Sequence, residues 1–201
     1  MNDRGSGLAL FGYGSLVSPA SAELTLGRPV QPRPARLASW RRGWTIGRLN
    51  LTAEKNFAPV GDGDPFDWCL GLNVEPDPEL DPGLWPNGVL IDVTAEELER
   101  LDRRELRYER AEVTDSVRVE GGLIGAAAVL TFRSQPDYRI PEPPPRAAII
   151  AAYVRTVEQA FSELGPDALD EFRRTTGVPP VPVVEAELVR DEIPEGNPRE
   201  W

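Results

Sequence analysis

The stretch of sequence that most constrains the fold is Leu8-Ala9-Leu10-Phe11-Gly12-Tyr13-Gly14-Ser15-Leu16. Its apolar first half is typical of a buried β-strand. The two glycines within three positions then predict a tight turn of bare backbone. Such a turn can direct several N–H groups at one anion, as the backbone cradles for phosphate and carboxylate groups do. We therefore expect a binding loop where this first strand ends.

Length and composition predict one soluble globular domain. The 201 residues are 40% hydrophobic and 27% charged, which is enough for one ordinary core. No apolar stretch approaches the roughly 20 residues that span a bilayer, and the first residues lack the pattern of a secretory signal. Cys69 is the sole cysteine, which favours a reducing compartment. We expect a cytoplasmic protein with a flexible N-terminus at 1–7, a single domain at 8–191 and a C-terminal tail at 192–201.

The net charge and the lack of histidine exclude several classes of function. A formal net charge of −11 disfavours binding to nucleic acid or to an anionic membrane surface. The arginines at 36, 41, 42 and 48 could form a local basic patch, although solvated surface arginines are the simpler interpretation. Without histidine, no Ser-His-Asp or Cys-His catalytic unit is possible. Acid–base chemistry must therefore use Asp, Glu, Tyr, Lys or Cys side chains.

Hydrophobic periodicity predicts a mixture of strands and helices. The clearest helix is predicted at 95–104, because Thr94 and Glu97 have the spacing of a capping box. Further helices are predicted at 146–164 and 166–176. Strands are predicted at 34–50 (one strand or a hairpin), 68–74, 87–93, 113–119, 126–132 and 181–189, with the strands at 113–119 and 126–132 joined at Gly121-Gly122. This pattern predicts an α+β domain built on a small closed or strongly curved mixed β-barrel, flanked by a few helices.

One carboxylate at the end of the first predicted helix is a candidate acid–base group. Glu105 lies four residues beyond Leu101 and seven beyond Leu98, so a continued helix would place it on their apolar face. Burial penalises the charged form of a carboxyl group, which suits it to exchange protons with an amine near neutral pH. On a helical wheel its neighbours Arg103, Arg104 and Arg107 point elsewhere. The alternative is a surface residue beyond the end of the helix.

Two motifs in this order resemble the gamma-glutamylcyclotransferase-like superfamily, which includes gamma-glutamylcyclotransferases, ChaC-type enzymes and AIG2-like proteins. The first is Tyr13-Gly14-Ser15-Leu16 after a strand. The second is Leu101-Asp102-Arg103-Arg104-Glu105, followed by Tyr108 before another strand. The segment Arg36-Leu37-Ala38-Ser39-Trp40-Arg41-Arg42 resembles the second strand of the family, although Ser39 stands where glycine is usual. The resemblance extends over residues 8–132 and implies the single domain expected above.

The resemblance implies an enzyme that cleaves a gamma-glutamyl amide or peptide. The substrate's own alpha-amine attacks its side-chain carbonyl and releases 5-oxoproline and a free amine, and the reaction uses no metal, no cofactor and no covalent intermediate. Such an enzyme is a lyase or acyltransferase of the gamma-glutamylcyclotransferase type. The implied catalytic acid–base group is Glu105. The implied substrate-binding residues are Tyr13, Gly14, Ser15, Leu16 and Tyr108. The implied partner is a small gamma-glutamyl compound.

Each of these assignments has a structural alternative. Tyr13 would also suit a core aromatic residue, and Tyr108 a surface residue that begins a strand. Ser15 is better explained as a turn residue than as a nucleophile, because no base is predicted beside it. Cys69 is best explained as a buried structural thiol. The loops predicted at 55–67, 75–86 and 136–145 are expected to frame the open side of the pocket. The same fold could also serve as a non-catalytic module that binds an amino-acid-like ligand.

Overall fold

The computed structural model describes residues 7–50, 55–120, 122, 124–192 and 197. In these ranges the chain forms four α-helices and twelve β-strands. The helices are α1 (Pro19–Leu26), α2 (Ala95–Arg104), α3 (Ala151–Leu164) and α4 (Pro166–Thr176). The strands are β1 (Leu8–Gly12), β2 (Arg33–Leu37), β3 (Trp40–Leu49), β4 (Lys55–Pro59), β5 (Trp68–Pro76), β6 (Asn87–Val93), β7 (Tyr108–Glu112), β8 (Val117–Val119), β9 (Ala128–Ser134), β10 (Ala147–Ile150), β11 (Val183–Val184) and β12 (Ala186–Asp191).

The strands assemble into three open sheets. The six-stranded sheet has the order β7-β9-β1-β6-β2-β8, the four-stranded sheet has the order β11-β10-β5-β3, and β12 pairs with β4. Each order begins and ends on different strands, so no sheet in the described part of the chain closes on itself. The predicted α+β class is confirmed. The predicted closed barrel is not, because the strands divide between separate sheets instead of continuing around one.

The chain passes from one sheet to another at Ser39. β2 and β3 are neighbours in sequence, but they pair within different sheets rather than as a hairpin. Between them, Ser39 has a φ of 62°, which lies in the left-handed region that glycine adopts most easily. The gamma-glutamylcyclotransferase-like superfamily, which this sequence resembles, usually has glycine at this position. The turn at Ser39 allows Trp40 to begin β3 in the four-stranded sheet.

β1 lies inside the six-stranded sheet, as its apolar run predicted. It pairs antiparallel with β6 and parallel with β9, and Ala9, Leu10 and Phe11 are buried. β6 approaches it closely at Gly88, where an added Cβ would stand 2.3 Å from the Gly12 carbonyl oxygen. Glycine at this position therefore permits the pairing that fixes the end of β1, and with it the start of the following loop.

α2 has the predicted bounds, 95–104, and the predicted capping box. The Thr94 hydroxyl accepts a hydrogen bond from the Glu97 N–H at 3.2 Å, and the Glu97 carboxylate accepts one from the Thr94 N–H at 2.8 Å. Leu98 and Leu101 are buried in the core. The cap and these two leucines together fix the register of the helix, and therefore the position of its C-terminal end.

Long-range pairing explains two further differences from the predicted elements. The helix predicted at 146–164 begins only at Ala151, because residues 147–150 form β10 and pair parallel with β5. A short apolar run suits a buried strand and a buried helix equally. The loop predicted at 55–67 is wrong over its first five residues, which form β4 and pair with β12. Local composition does not reveal a partner strand more than a hundred residues away.

The hairpin predicted from strands at 113–119 and 126–132 is also wrong. β9 is present, but its antiparallel partner is β7, whereas β8 pairs with β2. A turn at 114–116 separates β7 from β8, with the Ser116 N–H donating to the Val113 carbonyl at 2.8 Å. The strand predicted at 181–189 is divided into β11 and β12, which lie in different sheets. The predicted strands 68–74 and 87–93 and the helix 166–176 are confirmed as β5, β6 and α4.

Parts of the predicted termini and turns lie outside the described residues. From the predicted N-terminus at 1–7 only Gly7 is described, and from the predicted tail at 192–201 only Glu192 and Asn197. Gly121 of the predicted hairpin turn also lies outside them. Among the helices that are described, none combines the length and the apolar character needed to cross a membrane.

Candidate active site

The two glycines of the opening stretch lead into a short loop at the end of β1. Residues Ser15–Val17 form a single 3-10 turn, anchored by the buried side chains of Leu16 and Val17. The Val17 N–H donates to the Gly14 carbonyl at 3.0 Å. Because the first N–H groups of a helical turn have no acceptor inside it, the turn itself leaves the N–H groups of Ser15 and Leu16 without a partner. Whether these two N–H groups bind a ligand stays a prediction from the sequence.

Glu105 is shielded from solvent although the helix has ended before it. Its N–H donates to the Leu101 carbonyl at 2.8 Å, and its φ of −93° and ψ of 56° end α2 at Arg104. Its side chain nevertheless is only 16% exposed. The sequence left two interpretations of Glu105, a carboxylate on the apolar face of a continued helix and a surface residue beyond the helix, and each is correct on one point. The helix stops at the predicted boundary, and the carboxylate is still mostly enclosed.

Arg104 contacts Glu105 directly, which corrects the expectation that it points elsewhere. The Arg104 Nε lies 3.0 Å from the Glu105 Oε1. The helical wheel misplaced this pair because Glu105 has already left helical geometry. The same guanidinium donates to the Ser15 hydroxyl at 3.0 Å and to the Ser21 hydroxyl at 2.8 Å, and to the Thr25 hydroxyl at 2.6 Å. It thereby connects the loop, α1 and the carboxylate, and its charge offsets the cost of enclosing the carboxylate.

Tyr13 is a core residue and a wall of the site at once. It is 7% exposed, and its hydroxyl donates to the Phe132 carbonyl at 2.7 Å. Burial raises the pKa of Tyr13 well above its ordinary value, the charges of Tyr153 and Glu105 raise it further, and Arg42 opposes them. Tyr13 therefore stays a neutral phenol at physiological pH, with its proton committed to a backbone carbonyl.

Tyr108 begins β7 and faces the same space as Glu105. Its N–H donates to the Glu105 carbonyl at 2.9 Å, and its hydroxyl donates to the Leu72 carbonyl at 2.7 Å. Tyr108 is therefore half-buried at the start of a strand, with its hydroxyl directed inward. Because the phenolic proton points to Leu72, the lone pairs of the Tyr108 oxygen can accept a hydrogen bond from a ligand.

Two cavities meet at the carboxylate. The smaller one, of about 40 Å³, is bordered by residues 11–16 together with Leu72 and Phe132, and the larger one has a volume of about 490 Å³. Both are lined by Ser15, Glu105, Tyr108 and Tyr153. The smaller cavity is large enough for a small polar group, because about 10–15 Å³ of such volume already admits a water molecule. The larger one has the volume of a small-molecule site.

Tyr153 is a site residue that the sequence reasoning missed. It lies on α3, within the helix predicted at 146–164, and its ring meets Trp44 edge-on with centroids 6.3 Å apart. A Cβ added to Gly14 would stand 3.5 Å from the Tyr153 hydroxyl oxygen. Desolvation raises the pKa of Tyr153, so its phenol is neutral. Only the packing of α3 against the loop reveals this role.

Arg42 is a buried support for the loop, not part of a basic patch. It is 1% exposed, and it donates to the Tyr13 carbonyl at 3.2 Å and to the Asn87 carbonyl at 2.6 Å. Its guanidinium lies 4.4 Å from the ring centroid of Phe172. Burial lowers the pKa of Arg42 to about 9. Arg36 and Arg41 instead pair with the carboxylates of Glu171 and Asp77 at the surface.

Cys69 lines the larger cavity as a buried thiol. Burial raises the pKa of Cys69, which disfavours the reactive thiolate. From the three loops expected to frame the pocket, only the one predicted at 55–67 supplies lining residues, Lys55 and Phe57, which belong to β4. In the described part of the chain, no group of three or more His, Cys, Asp or Glu residues could hold a metal ion.

Several solved structures share this fold at low sequence identity. A protein described as gamma-glutamyl cyclotransferase aligns with a TM-score of 0.57 and 15% identity, over 90% of this chain and 95% of its own. An uncharacterized protein from Homo sapiens aligns with a TM-score of 0.56 and 16% identity, over 85% of this chain and 88% of its own. A protein from yeast, described as a gamma-glutamyl cyclotransferase specific to glutathione, aligns with a TM-score of 0.51 and 17% identity, over 85% of this chain and 97% of its own. No model of a known protein family and no curated protein sequence matches the chain significantly. The gamma-glutamylcyclotransferase-like fold indicated by the two motifs is confirmed.

Proposed function

We propose that this protein is a cyclotransferase that cleaves a gamma-glutamyl amide or peptide and releases 5-oxoproline and a free amine. One observation carries the proposal: the shielded carboxylate of Glu105 lies where the two cavities meet, beside the loop that follows β1. Two solved structures with this fold are described as gamma-glutamyl cyclotransferases, which supports the same reaction. The proposed substrate is a small molecule in the cytoplasm, and no nucleic acid or membrane takes part.

The reaction needs one group that moves a proton. The alpha-amine of the substrate attacks its own side-chain carbonyl carbon, a new C–N bond closes a five-membered ring, and the original amide C–N bond breaks. Glu105 takes a proton from the attacking ammonium group and returns it to the departing nitrogen. Because the substrate supplies both the amine and the carbonyl, holding it in a folded conformation brings the two together at high effective concentration.

The loop after β1 supplies the complementary charge. Ser15 and Leu16, whose N–H groups have no acceptor within their own turn, line the smaller cavity. We assign these N–H groups to the substrate's alpha-carboxylate or to the oxygen on which negative charge develops. The neutral phenol of Tyr13 forms the wall, and Gly14 leaves room for the substrate beside Tyr153. Tyr108 can accept a hydrogen bond from the alpha-ammonium group, since its own proton is bound to the Leu72 carbonyl.

A binding module without catalysis is the second candidate, and one contact favours it. The ion pair with Arg104 gives Glu105 a structural reason to be enclosed. Enclosure alone therefore suits both candidates, and catalysis is supported by the position of the carboxylate where the two cavities meet. The two candidates differ in products and not in affinity, because only an enzyme converts the ligand that it binds.

The products of a gamma-glutamyl peptide distinguish the candidates. Purified protein is incubated with the peptide, and 5-oxoproline, the free amine and glutamate are quantified together. We expect 5-oxoproline and the amine in equal amounts, because cyclisation consumes no water. Release of glutamate would indicate hydrolysis and contradict the proposed mechanism. Binding of the peptide without any product, measured by calorimetry, would establish the binding module instead.

A further inference from the structure

Three of the four tyrosines line the two cavities, and they differ in what their hydroxyl protons bind. Tyr13 donates its proton to the Phe132 carbonyl at 2.7 Å, and Tyr108 donates its proton to the Leu72 carbonyl at 2.7 Å. Tyr153 lines both cavities, but its hydroxyl donates to no acceptor among the residues that the structure describes. Where the cavities meet, Tyr153 is therefore the phenol whose proton can be donated to a ligand.

The backbone of Leu72 explains this difference between Tyr108 and Tyr153. Leu72 lies in β5 where the pairing with β3 shifts register between Gly43 and Ile46. The N–H and the carbonyl of one strand residue point to the same side, so the N–H of Leu72 faces the same way as the carbonyl that Tyr108 binds. Desolvation raises the pKa of Tyr153, and a backbone hydrogen bond from Leu72 opposes that rise. Such a bond favours the phenolate only when the N–H donates to the phenol oxygen, which leaves the Tyr153 proton for another acceptor.

The Tyr153 hydroxyl lies beside both the loop after β1 and the carboxylate of Glu105. Its oxygen would stand 3.5 Å from a Cβ added to Gly14. After desolvation, the charge of Glu105 also raises the pKa of Tyr153, which shows that the two groups are near each other. The ring is held edge-on against the buried Trp44. The donor is thus in position before a ligand binds, next to the group that is proposed to move the proton.

We infer that the Tyr153 hydroxyl donates a hydrogen bond to the substrate carbonyl oxygen on which negative charge develops. The inference rests on the proposed function, in which the amide bond that breaks lies beside Glu105, where the cavities meet. As the alpha-amine closes on the carbonyl carbon, electron density moves to the carbonyl oxygen, and a donor that already points there stabilises it without reorganisation. Tyr153 keeps its own proton throughout. With Tyr153 at this oxygen, the N–H groups of Ser15 and Leu16 serve the alpha-carboxylate.

Tyr153→Phe tests the donor, because it removes the hydroxyl and keeps the ring against Trp44. We expect kcat for release of 5-oxoproline from a gamma-glutamyl peptide to fall by about 10²-fold to 10³-fold. KM should change little, because the hydrogen bond is strongest in the transition state. A rise in KM at constant kcat would overturn the inference, since Tyr153 would then bind substrate without stabilising the developing charge.

Tyr138→Phe is the matched control. Tyr138 lines neither cavity, so its variant loses the same hydroxyl and should keep the kcat of the wild type. Circular dichroism establishes that each variant is folded. If Tyr153→Phe does not fold, Tyr153→Leu takes its place in every measurement.

The infrared spectrum of bound 5-oxoproline provides a readout that a structural role of Tyr153 would not change. The ring carbonyl oxygen of this product is the oxygen of the carbonyl that was attacked, and a hydrogen bond donated to it lowers the C=O stretching frequency. With 5-oxoproline isotopically labelled at that carbon, we expect a lower frequency in the wild type and in Tyr138→Phe than in Tyr153→Phe. The same frequency in all three proteins would overturn the inference even if kcat falls, because altered packing would then account for the rate.

The two measurements together separate this inference from the proposed function. If the wild type forms no 5-oxoproline, but binds it with a low carbonyl frequency that Tyr153→Phe raises, the reaction is wrong and the hydrogen bond stands. If the wild type forms 5-oxoproline and Tyr153→Phe has the same kcat and the same carbonyl frequency, the reaction stands and the role of Tyr153 is wrong. A wild type that neither forms nor binds 5-oxoproline contradicts both.

Discussion

The Nε of Arg104 lies 3.0 Å from the Oε1 of Glu105, the next residue in the chain. The rest of the guanidinium is bound to the hydroxyls of Ser15, Ser21 and Thr25. One buried cation therefore sets the spacing between the carboxylate and the loop after β1. The proposed proton transfer depends on that spacing, because the attacking amine must reach Glu105 and the loop at the same time.

Arg104→Lys tests this positioning role. An ammonium group cannot bind the loop, α1 and the carboxylate together, because it lacks the planar fork of a guanidinium. We expect kcat to fall by about tenfold to a hundredfold, with a smaller change in KM. The exposed Arg103 supplies the matched control, and Arg103→Lys should keep the kcat of the wild type. A rise in KM at constant kcat would mean that Arg104 binds substrate and does not position Glu105.

Tyr13→Phe tests the buried phenol through the pH dependence of stability. Burial raises the pKa of Tyr13 well above its ordinary value, which is about 10 in an unfolded chain. Above that pH the unfolded chain releases the proton while the folded protein keeps it, so the stability of the wild type falls as the pH rises. At pH 8 the variant should be less stable by about 1 kcal/mol, because the Phe132 carbonyl loses a hydrogen bond.

Urea unfolding between pH 8 and pH 11 measures the effect of Tyr13→Phe. The difference in unfolding free energy between wild type and variant should shrink steadily above pH 10. A constant difference over the whole range would show that Tyr13 does not titrate differently in the two states.

Ser39→Gly should stabilise the protein. At a φ of 62°, the side chain of serine is strained by about 1 kcal/mol, and glycine relieves this at the expense of a more flexible unfolded chain. We expect a net gain of about 0.5 kcal/mol in unfolding free energy. Ser162→Gly, at an exposed position in α3, is the matched control and should lose about 0.5 kcal/mol. Destabilisation by both substitutions would contradict the left-handed turn at Ser39.

Gly88→Ala should weaken the pairing of β1 with β6. The added Cβ would stand 2.3 Å from the Gly12 carbonyl oxygen and 2.8 Å from the Phe11 Cζ. Backbone atoms cannot move aside easily, so we expect a loss of about 2 to 3 kcal/mol in unfolding free energy. Gly43→Ala is the control, because its Cβ would meet its nearest neighbour at 3.6 Å. Similar melting temperatures for the two variants would be inconsistent with the close approach.

Local sequence signals were sufficient for the elements that carry the proposed catalytic group. The capping box at Thr94 fixed the start of α2, and the buried Leu98 and Leu101 fixed its face, so the position of Glu105 at its end was predictable. The apolar run before Gly12 identified β1 in the same way. These features depend on residues close together in sequence, where spacing alone limits the possible structures.

The remaining site residues depend on contacts between distant segments. Arg104 turns toward Glu105 only because the helix ends between them. Tyr153 reaches Gly14 only because α3 packs on the loop. Lys55 lines the larger cavity because β4 pairs with β12, more than a hundred residues away. Neither periodicity nor composition contains that information. For this reason the helical wheel placed Arg104 away from Glu105, and the turn-forming residues at 55–67 predicted a loop where β4 lies.

The rate at which Glu105→Gln releases 5-oxoproline tests the central claim most directly. Glutamine keeps the size of the side chain but cannot exchange the proton, and Glu99→Gln at an exposed position of α2 is the control. We expect kcat to fall by about 10²-fold to 10⁴-fold for Glu105→Gln, with unchanged binding of the peptide and wild-type kcat for Glu99→Gln. Turnover by Glu105→Gln at the rate of the wild type would contradict the assignment of Glu105 as the acid–base group.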